Sequence, residues 1–406
     1  MELMPGYKQS EVGVIPEDWE LTPFVALGSV IDGDRGANYP GSRDFSSDGH
    51  CLFLNAANVT KAGFRFRECA FISREKDERL SKGKLERDDI VLTTRGTVGN
   101  FAHYDATVSF ENIRINSGMV ILRNDFAALD TSFLYVFAQS NLMERQIERL
   151  TFGSAQPQLT VKGINELSIV VPSITEQRAI ARALSDVDGL LASLDQVIAK
   201  KRDLKQAAMQ QLLTGKTRLL GFKGAWEVKS LGDLAEIVMG QSPSSSNYNS
   251  IGNGLPLIQG NADIANRWAT KRTYTTQITK RGKAGDVLMS VRAPVGEVSR
   301  TMFDVCLGRG VCAIRFSNDF LYHTLVFLEP NWARHSKGST FDSVNSDDVK
   351  AVEIRLPVEA AEQIAIAAIL SDMDAELSEL EARRDKTRSI KQAMMQELLT
   401  GKTRLV

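Results

Sequence analysis

The clearest pattern in the chain is an alternation of apolar positions at intervals of four and three. Ile180, Leu184, Val187, Leu191, Leu194 and Ile198 keep it in one stretch, and Ile366, Leu370, Met373, Leu377 and Leu380 keep it in another. Such a stripe returns to one face of a helix and forms the seam of a coiled coil. Each stretch predicts a helix of about 39 residues, roughly 58 Å long. Lys201, Lys205 and Arg384 interrupt the seam. Two like seams in one chain favour packing against each other over packing on separate cores.

Elsewhere the period is shorter. "DIVLTTR" at Asp89–Arg95, "GMVILR" at Gly118–Arg123, "DVLMSVR" at Asp286–Arg292 and "VCAIRF" at Val311–Phe316 are apolar runs bounded by glycine and polar turns, which read as strands. "SFLYVFAQSNLMERQIERL" has helical spacing. The expected fold class is mixed α/β (α+β): two globular units separated by two long helices, with boundaries at 1–172, 173–215, 216–357 and 358–406.

The units are copies. A shift of 186 aligns Glu176–Leu219 with Glu362–Leu405 without a gap, and more than half of the positions are identical. A shift of 197 aligns Asp89–Gly99 with Asp286–Gly296, and "GYK…DWE…LG" near Gly6–Gly28 resembles "GFK…AWE…LG" at Gly221–Gly232. The order is globular unit, helix, globular unit, helix. Joining the C-terminus to the N-terminus would continue it, so the repeat is circularly permuted and the helices should run antiparallel.

The octapeptide "LLTGKTRL", at Leu212–Leu219 and Leu398–Leu405, contains the Gly-Lys-Thr of a phosphate-binding loop. That loop needs a glycine five positions earlier and a strand before it. Gln210 and Gln396 stand at those positions, inside strong helix formers. The octapeptide reads instead as a helix end, with Gly215 and Gly401 free to take the left-handed cap. Lys216, Arg218, Lys402 and Arg404 follow where positive charge suits the negative end of a helix, or where a partner could dock.

Composition narrows the class. The 406 residues are 43% hydrophobic and 24% charged, as in ordinary globular domains, and no run approaches the roughly 18 apolar residues of a membrane span. The start of the chain has neither the basic nor the apolar part of a secretory signal, and the four cysteines are scattered, so a reducing cytoplasm is expected. Catalytic patterns are missing. There is no Pro-Pro for an amino-methyltransferase loop, no Pro-Asp for a restriction nuclease and no Gly-x-Ser-x-Gly elbow. His50, His103, His323 and His335 lack metal-ligand spacing and read as surface or packing residues.

Net charge is −1, yet basic residues gather locally. Ile264–Arg315 holds ten Lys/Arg against three Asp/Glu, and Lys61–Arg123 holds twelve against nine. Candidate DNA contacts in the second unit are Arg267 beside Trp268, Lys271, Arg272 near Tyr274, Lys280, Arg281 and Lys283. In the first unit they are Lys61, Arg65 and Arg67 between Phe64 and Phe66, followed by Arg74, Lys76, Arg79, Lys82 and Lys84. Lysine and arginine neutralise phosphates, while Arg, Asn and Gln read base edges. A solvated charged face is the plainer alternative. Arg95 and Arg292 occupy equivalent places after the repeated strand and could reach DNA or pair with an internal carboxylate. Gln156 and Gln158 in "GSAQPQL" carry suitable donors on an expected loop.

Taken together, "YKQSEVGVIPEDWE", "GSAQPQL…GINELSIVVPSITEQRAI" and the paired helices ending in "LLTGKTRL" resemble the specificity subunit of type I restriction–modification systems. The resemblance covers essentially the whole chain. It implies two target-recognition domains, each reading half of a split, asymmetric duplex DNA site. It further implies an antiparallel coiled coil that sets the spacing and docks two methyltransferase subunits, which bind S-adenosylmethionine, with restriction/translocase subunits completing the assembly. No cofactor, metal or membrane is expected for this chain. "GSAQPQL" becomes "GSTFDSV", and "TRGTVG" becomes "VRAPVG", between the copies, so the two domains should read different bases. The competing readings are an enzyme of another restriction or modification type with a cryptic site, and a coiled-coil scaffold that does not touch DNA.

Overall fold

A computed structural model describes residues 5–153, 157–332 and 343–405. The chain divides into two compact units, Met1–Ser193 with Arg384–Val406, and Leu194–Arg383. The expected helical spans are occupied by helices Ile174–Leu212 and Ala360–Leu399. The units divide within those helices, not at their ends. Each unit is therefore a sheet domain plus half of each helix.

In the first unit the central sheet is four antiparallel strands in the order Phe101–His103, Ile90–Thr93, Met119–Asn124 and Gly28–Asp32. Its middle strands are continuously apolar over Ile90–Leu92 and Met119–Leu122 because both faces are covered there. Ile90, Leu92, Val120 and Leu122 pack towards Phe133, Phe137 and the long helix. Val91, Met119 and Ile121 point the other way, onto Leu52, Leu54 and Tyr104. The second unit repeats this in a six-stranded sheet: Val287, Met289, Cys312 and Ile314 face one core, while Leu288, Val311 and Ala313 face the other.

One expectation is refined. "SFLYVFAQSNLMERQIERL" forms two helices, Thr131–Ala138 and Asn141–Leu150. Ser140 breaks the run because its hydroxyl accepts from the Met143 N–H and caps the second helix.

The seam residues Ile180, Leu184, Leu194, Ile198, Ile366, Leu370 and Leu377 are buried, and Val187, Leu191, Met373 and Leu380 are half-buried. Within the first unit, Ile180 and Leu184 share a core with Leu398 and Leu399. Within the second, Ile366 and Leu370 share one with Met209 and Leu212. Helix direction follows from the ion pairs. In the first unit Asp188 meets Lys391 at 2.7 Å and Glu176 meets Arg404 at 2.7 Å. In the second, Lys205 pairs with Asp374, Lys201 with Glu376 at 2.5 Å, and Arg218 with Glu362 at 2.6 Å. As numbers rise on one segment they fall on the other, so the segments run antiparallel in both units. The seam lysines do not break the pattern; acids on the facing helix neutralise them.

The octapeptide closes each unit. Gly215 and Gly401 take φ of +69° and +67°, and a Cβ there would lie 3.1 Å from Trp226 and 2.4 Å from Pro16. Beyond them Arg404 donates to both oxygens of Glu176, at 2.7 and 2.9 Å, and to both oxygens of Asp18, at 3.0 and 2.7 Å. The Trp19 indole N–H donates to the same Glu176 at 3.1 Å. Arg218 forks onto Glu362 at 2.6 and 2.7 Å, with its guanidinium 5.8 Å from the Trp226 ring centroid. Both glutamates are fully buried. The hydrogen bonds from Arg404 hold the Asp18 carboxyl below the usual carboxylate range.

Removing either arginine leaves a buried carboxylate without its counter-ion. Arg404→Ala and Arg218→Ala should each cost about 2–4 kcal/mol, at the lower end for a broken buried pair because the arginines are partly exposed. Urea unfolding checks this, and a loss within experimental error would contradict it.

His323 sits in the second unit's core with Nε2 2.9 Å from Ser371 Oγ. Burial, opposed by Asp374 and reinforced by Lys205 and Arg300, pushes its pKa down to about 4. A depressed folded-state value means full stability above the ordinary 6.5 and progressive loss as pH falls towards 4, since only the unfolded chain takes the proton. The urea midpoint of wild type should therefore drop between pH 7 and pH 5 by more than that of His323→Gln. Equal drops would show that His323 does not report this coupling.

Candidate nucleic-acid interface

In each unit the central strand pair ends in an exposed loop that carries an arginine. In the first, Thr94 and Arg95 follow Ile90–Thr93; the Arg95 N–H donates to the Gly118 carbonyl at 3.2 Å, and Arg95 pairs with Gln158 as an isolated bridge. The Leu159 N–H donates to Thr94 at 3.0 Å, locking the two loops together. The second unit repeats the joint: Arg292 bridges Ser343, and the Val344 N–H donates to Val291 at 2.9 Å. Arg95 and Arg292 are exposed, and neither has a carboxylate partner among the described residues. The internal-pairing alternative thus finds no acid there. Gln156 lies outside the described residues.

Other candidates separate by what they touch. Arg65 and Arg67 are exposed and unpaired among the described residues, whereas Phe64 and Phe66 turn inward, stacked at 5.3 Å, with Phe66 against Phe110. These aromatics are core, not platforms for bases. Lys61 is exposed, 3.3 Å from Glu144. Lys76 pairs with Asp44 at 3.0 Å, and Lys84 with Asp77 at 2.7 Å. Asp77 is itself buried beside Arg114.

In the second unit Arg267 takes a left-handed conformation, φ +66°, and forks onto Glu329 at 2.6 and 2.8 Å while also donating to the Val298 carbonyl. The Glu329 hydrogen bonds raise its pKa. This guanidinium clamps a loop. Arg272 faces Asp263 at 3.7 Å, and Arg281 pairs with Asp304. Lys271 lies 4.6 Å from the Phe303 ring centroid. Lys280 and Lys283 are exposed and unpaired among the described residues, and Trp268 is 43% exposed.

The sequence reading missed three side chains. Gln259, Asn261 and Arg309 line one cavity together with Arg292. The available signal was Gly308-Arg309-Gly310, an arginine between two glycines. Two further arginines follow one structural rule: Arg123 with Asp89, at 2.8 Å, and Arg315 with Asp286, at 3.0 Å, tie the ends of equivalent strands. No cluster of His, Cys, Asp and Glu suited to a metal occurs among the described residues, and no described helix is long and apolar enough to cross a membrane.

Residues 16–200 and 223–388 match the type I restriction modification DNA specificity domain, and the chain belongs to that family. Its class is the non-catalytic specificity subunit of a type I restriction–modification system, which recognises a DNA target. Similar proteins include one of Methanocaldococcus jannaschii provisionally named the type I restriction enzyme MjaX specificity subunit, 30% identical over 430 residues, 98% of this chain and 97% of that one. The MjaIX specificity subunit of the same organism is 22% identical over 86% of each chain. The type I restriction–modification S subunit from M. genitalium shares the fold, with a TM-score of 0.64 at 15% identity over 98% of both chains.

Free and committed arginines should separate in a stability measurement. Arg292→Ala should change unfolding free energy by less than about 0.5 kcal/mol, as for an unpaired surface side chain. Arg267→Ala, which strands Glu329, should lose about 1–3 kcal/mol. Equal effects in urea titrations would contradict the division.

Proposed function

We propose that each unit reads one half of a split, asymmetric duplex DNA target, and that the paired helices fix the spacer between the halves. The observation that carries this reading is the repeated loop joint. Arg95 with Gln158 and Arg292 with Ser343 occupy the same place in two copies of one fold, with different neighbours. Equivalent scaffolds bearing different side chains suit two different half-sites. Exposed Lys280, Lys283, Arg65 and Arg67 supply phosphate contacts beside them, and tethering two weak readers raises the effective concentration of the second.

The helices also dock two methyltransferase subunits, which bring S-adenosylmethionine, and restriction/translocase subunits join that assembly in the cytoplasm. The long, continuous helices and the exposed apolar residues along them, Leu190, Val197 and Leu204 among them, support a docking role.

A ruler can be lengthened. Four residues inserted into each helix, near Ala199 and Asp385, form a stutter that a seam tolerates and add about 6 Å. The preferred spacer should grow by about one or two base pairs, at roughly 3.4 Å each. Selection from duplexes of varied spacer reads the result. An unchanged spacer with intact half-site preference would remove the ruler role.

A further inference from the structure

Several second-unit arginines are spent on carboxylates: Arg267 on Glu329, Arg272 on Asp263, Arg281 on Asp304, Arg300 on Asp319 and Arg315 on Asp286. Arg292 and Arg309 are not, among the described residues, and they line the same cavity with Gln259 and Asn261. Most guanidiniums of this unit meet a carboxylate among the described residues, whereas these two face one polar hollow and stay available to something outside the chain.

The backbone is built to hold Arg309 there. A Cβ on Gly308 would lie 2.9 Å from Gln259 Cγ, and one on Gly310 would lie 2.1 Å from the Gln259 carbonyl oxygen. Only bare Cα atoms on both sides let the Arg309 turn press against Gln259. The Gly308 N–H donates to Ile258 at 2.7 Å, and the Arg309 N–H donates to Ser242 Oγ at 3.1 Å, fixing the turn. Ser290, in the same wall, is occupied in shaping the Arg292 loop: its hydroxyl donates to the Pro294 carbonyl at 2.6 Å and accepts from the Glu297 N–H at 2.9 Å. The Gln259 side chain has only a long contact, 3.5 Å from the Tyr248 hydroxyl, and Asn261 has no side-chain hydrogen bond among the described residues. Two forked donors and two amides thus share one surface without a close side-chain partner among the described residues.

The first unit differs at the same places. Strand register aligns Thr93 opposite Met119 with Ser290 opposite Val311, which sets Ser117 against Arg309. On the neighbouring strand Leu52 and Pro256 pair alike with Phe71 and Tyr274, which sets Asn55 at the place of Gln259, and the short helical turns that follow set Ala56 against Asn261. Arg95 and Arg292 are common to both units, while the other three positions carry the shorter Ser117, Asn55 and Ala56 in the first unit and Arg309, Gln259 and Asn261 in the second.

We infer that Arg292, Arg309, Gln259 and Asn261 are the base-reading group of the second unit, and that they read purines in the major groove. Arginine matches guanine O6 and N7 in a fork, and Asn or Gln matches adenine N6 and N7. The second half-site therefore contains at least one guanine and one adenine read here, and the first half-site is read by other side chains around Arg95. This inference rests on the DNA-recognition reading above.

The test is enrichment of duplexes with randomised positions by the full-length chain, comparing wild type with Arg309→Lys, Arg309→Ser and Gln259→Leu. Arg309→Ser installs the first unit's residue, and Gln259→Leu removes the amide at similar size. Lysine keeps the charge but not the fork. Arg309→Lys should weaken the preference for guanine at one position of one half-site by about tenfold while leaving the salt slope unchanged. Gln259→Leu should relax an adenine position in the same half, and the other half should stay as in wild type. A wild-type motif retained by Arg309→Lys, or an even loss of affinity across all sequences in Arg309→Ser, would reduce Arg309 to a phosphate contact and overturn the inference while leaving DNA recognition standing. Failure of wild type itself to enrich any motif would remove the recognition reading first, and the inference with it. Circular dichroism of each variant separates these outcomes from misfolding, which is not expected at exposed positions.

Discussion

Each unit hangs on a buried carboxylate that an arginine reaches from the end of the opposite helix. Glu176 and Glu362 open their helices at positions with no exposed surface, and burying a carboxylate is costly unless it is paired and hydrogen-bonded. Arg404 and Arg218 supply that pairing, forked in both cases. The arginine can reach only if the helix ends at a glycine that turns left-handed and lies flat on an aromatic or proline side chain, and only if the two helical segments run antiparallel. Cap, direction and repeat are thus one constraint expressed three times. It also explains why the chain's last residues belong with its first: the Tyr7 hydroxyl donates to the Gly401 carbonyl at 3.0 Å, and Asp18 shares Arg404 with Glu176.

From this anchor the recognition loops follow. The neighbouring glutamine of each pair is buried too. Gln177 ties the helix start to the Ala128 and Pro172 carbonyls and to the Asp130 N–H, while Gln363 ties it to the Pro357 carbonyl and Asn318. These bonds connect each helix to the segment that follows its central sheet. The sheet, covered on both faces, then carries the arginine loops at its strand ends. A rigid carrier with variable loops can change what it reads without changing how it folds.

How much of this lay open in the sequence depends on range. The helices, their seam and the repeat were legible because periodicity and identity are written along the chain. The antiparallel direction was legible from the permuted order. The partner of Arg404 was not: "TRL" reads as a helix-end charge, and nothing local points to a glutamate over two hundred residues away. The same blindness affected the basic patches. Arg267, Arg281 and Arg292 look alike in sequence, and only folding shows that Glu329 and Asp304 claim the first two. Phe64 and Phe66 alternate with Arg65 and Arg67, and alternation alone does not say which face is inward. Arg309, Gln259 and Asn261 stayed invisible because three separate loops converge to make their cavity.

The central claim is that two copies of one scaffold read two different half-sites and direct modification to them. Mapping methylated bases across DNA from cells that carry this chain with its methyltransferase subunits, and from cells lacking only this chain, tests it most directly. The account predicts one split, asymmetric motif with a fixed gap, present with the chain and absent without it. A single contiguous motif, or a pattern that persists when the chain is removed, would contradict it.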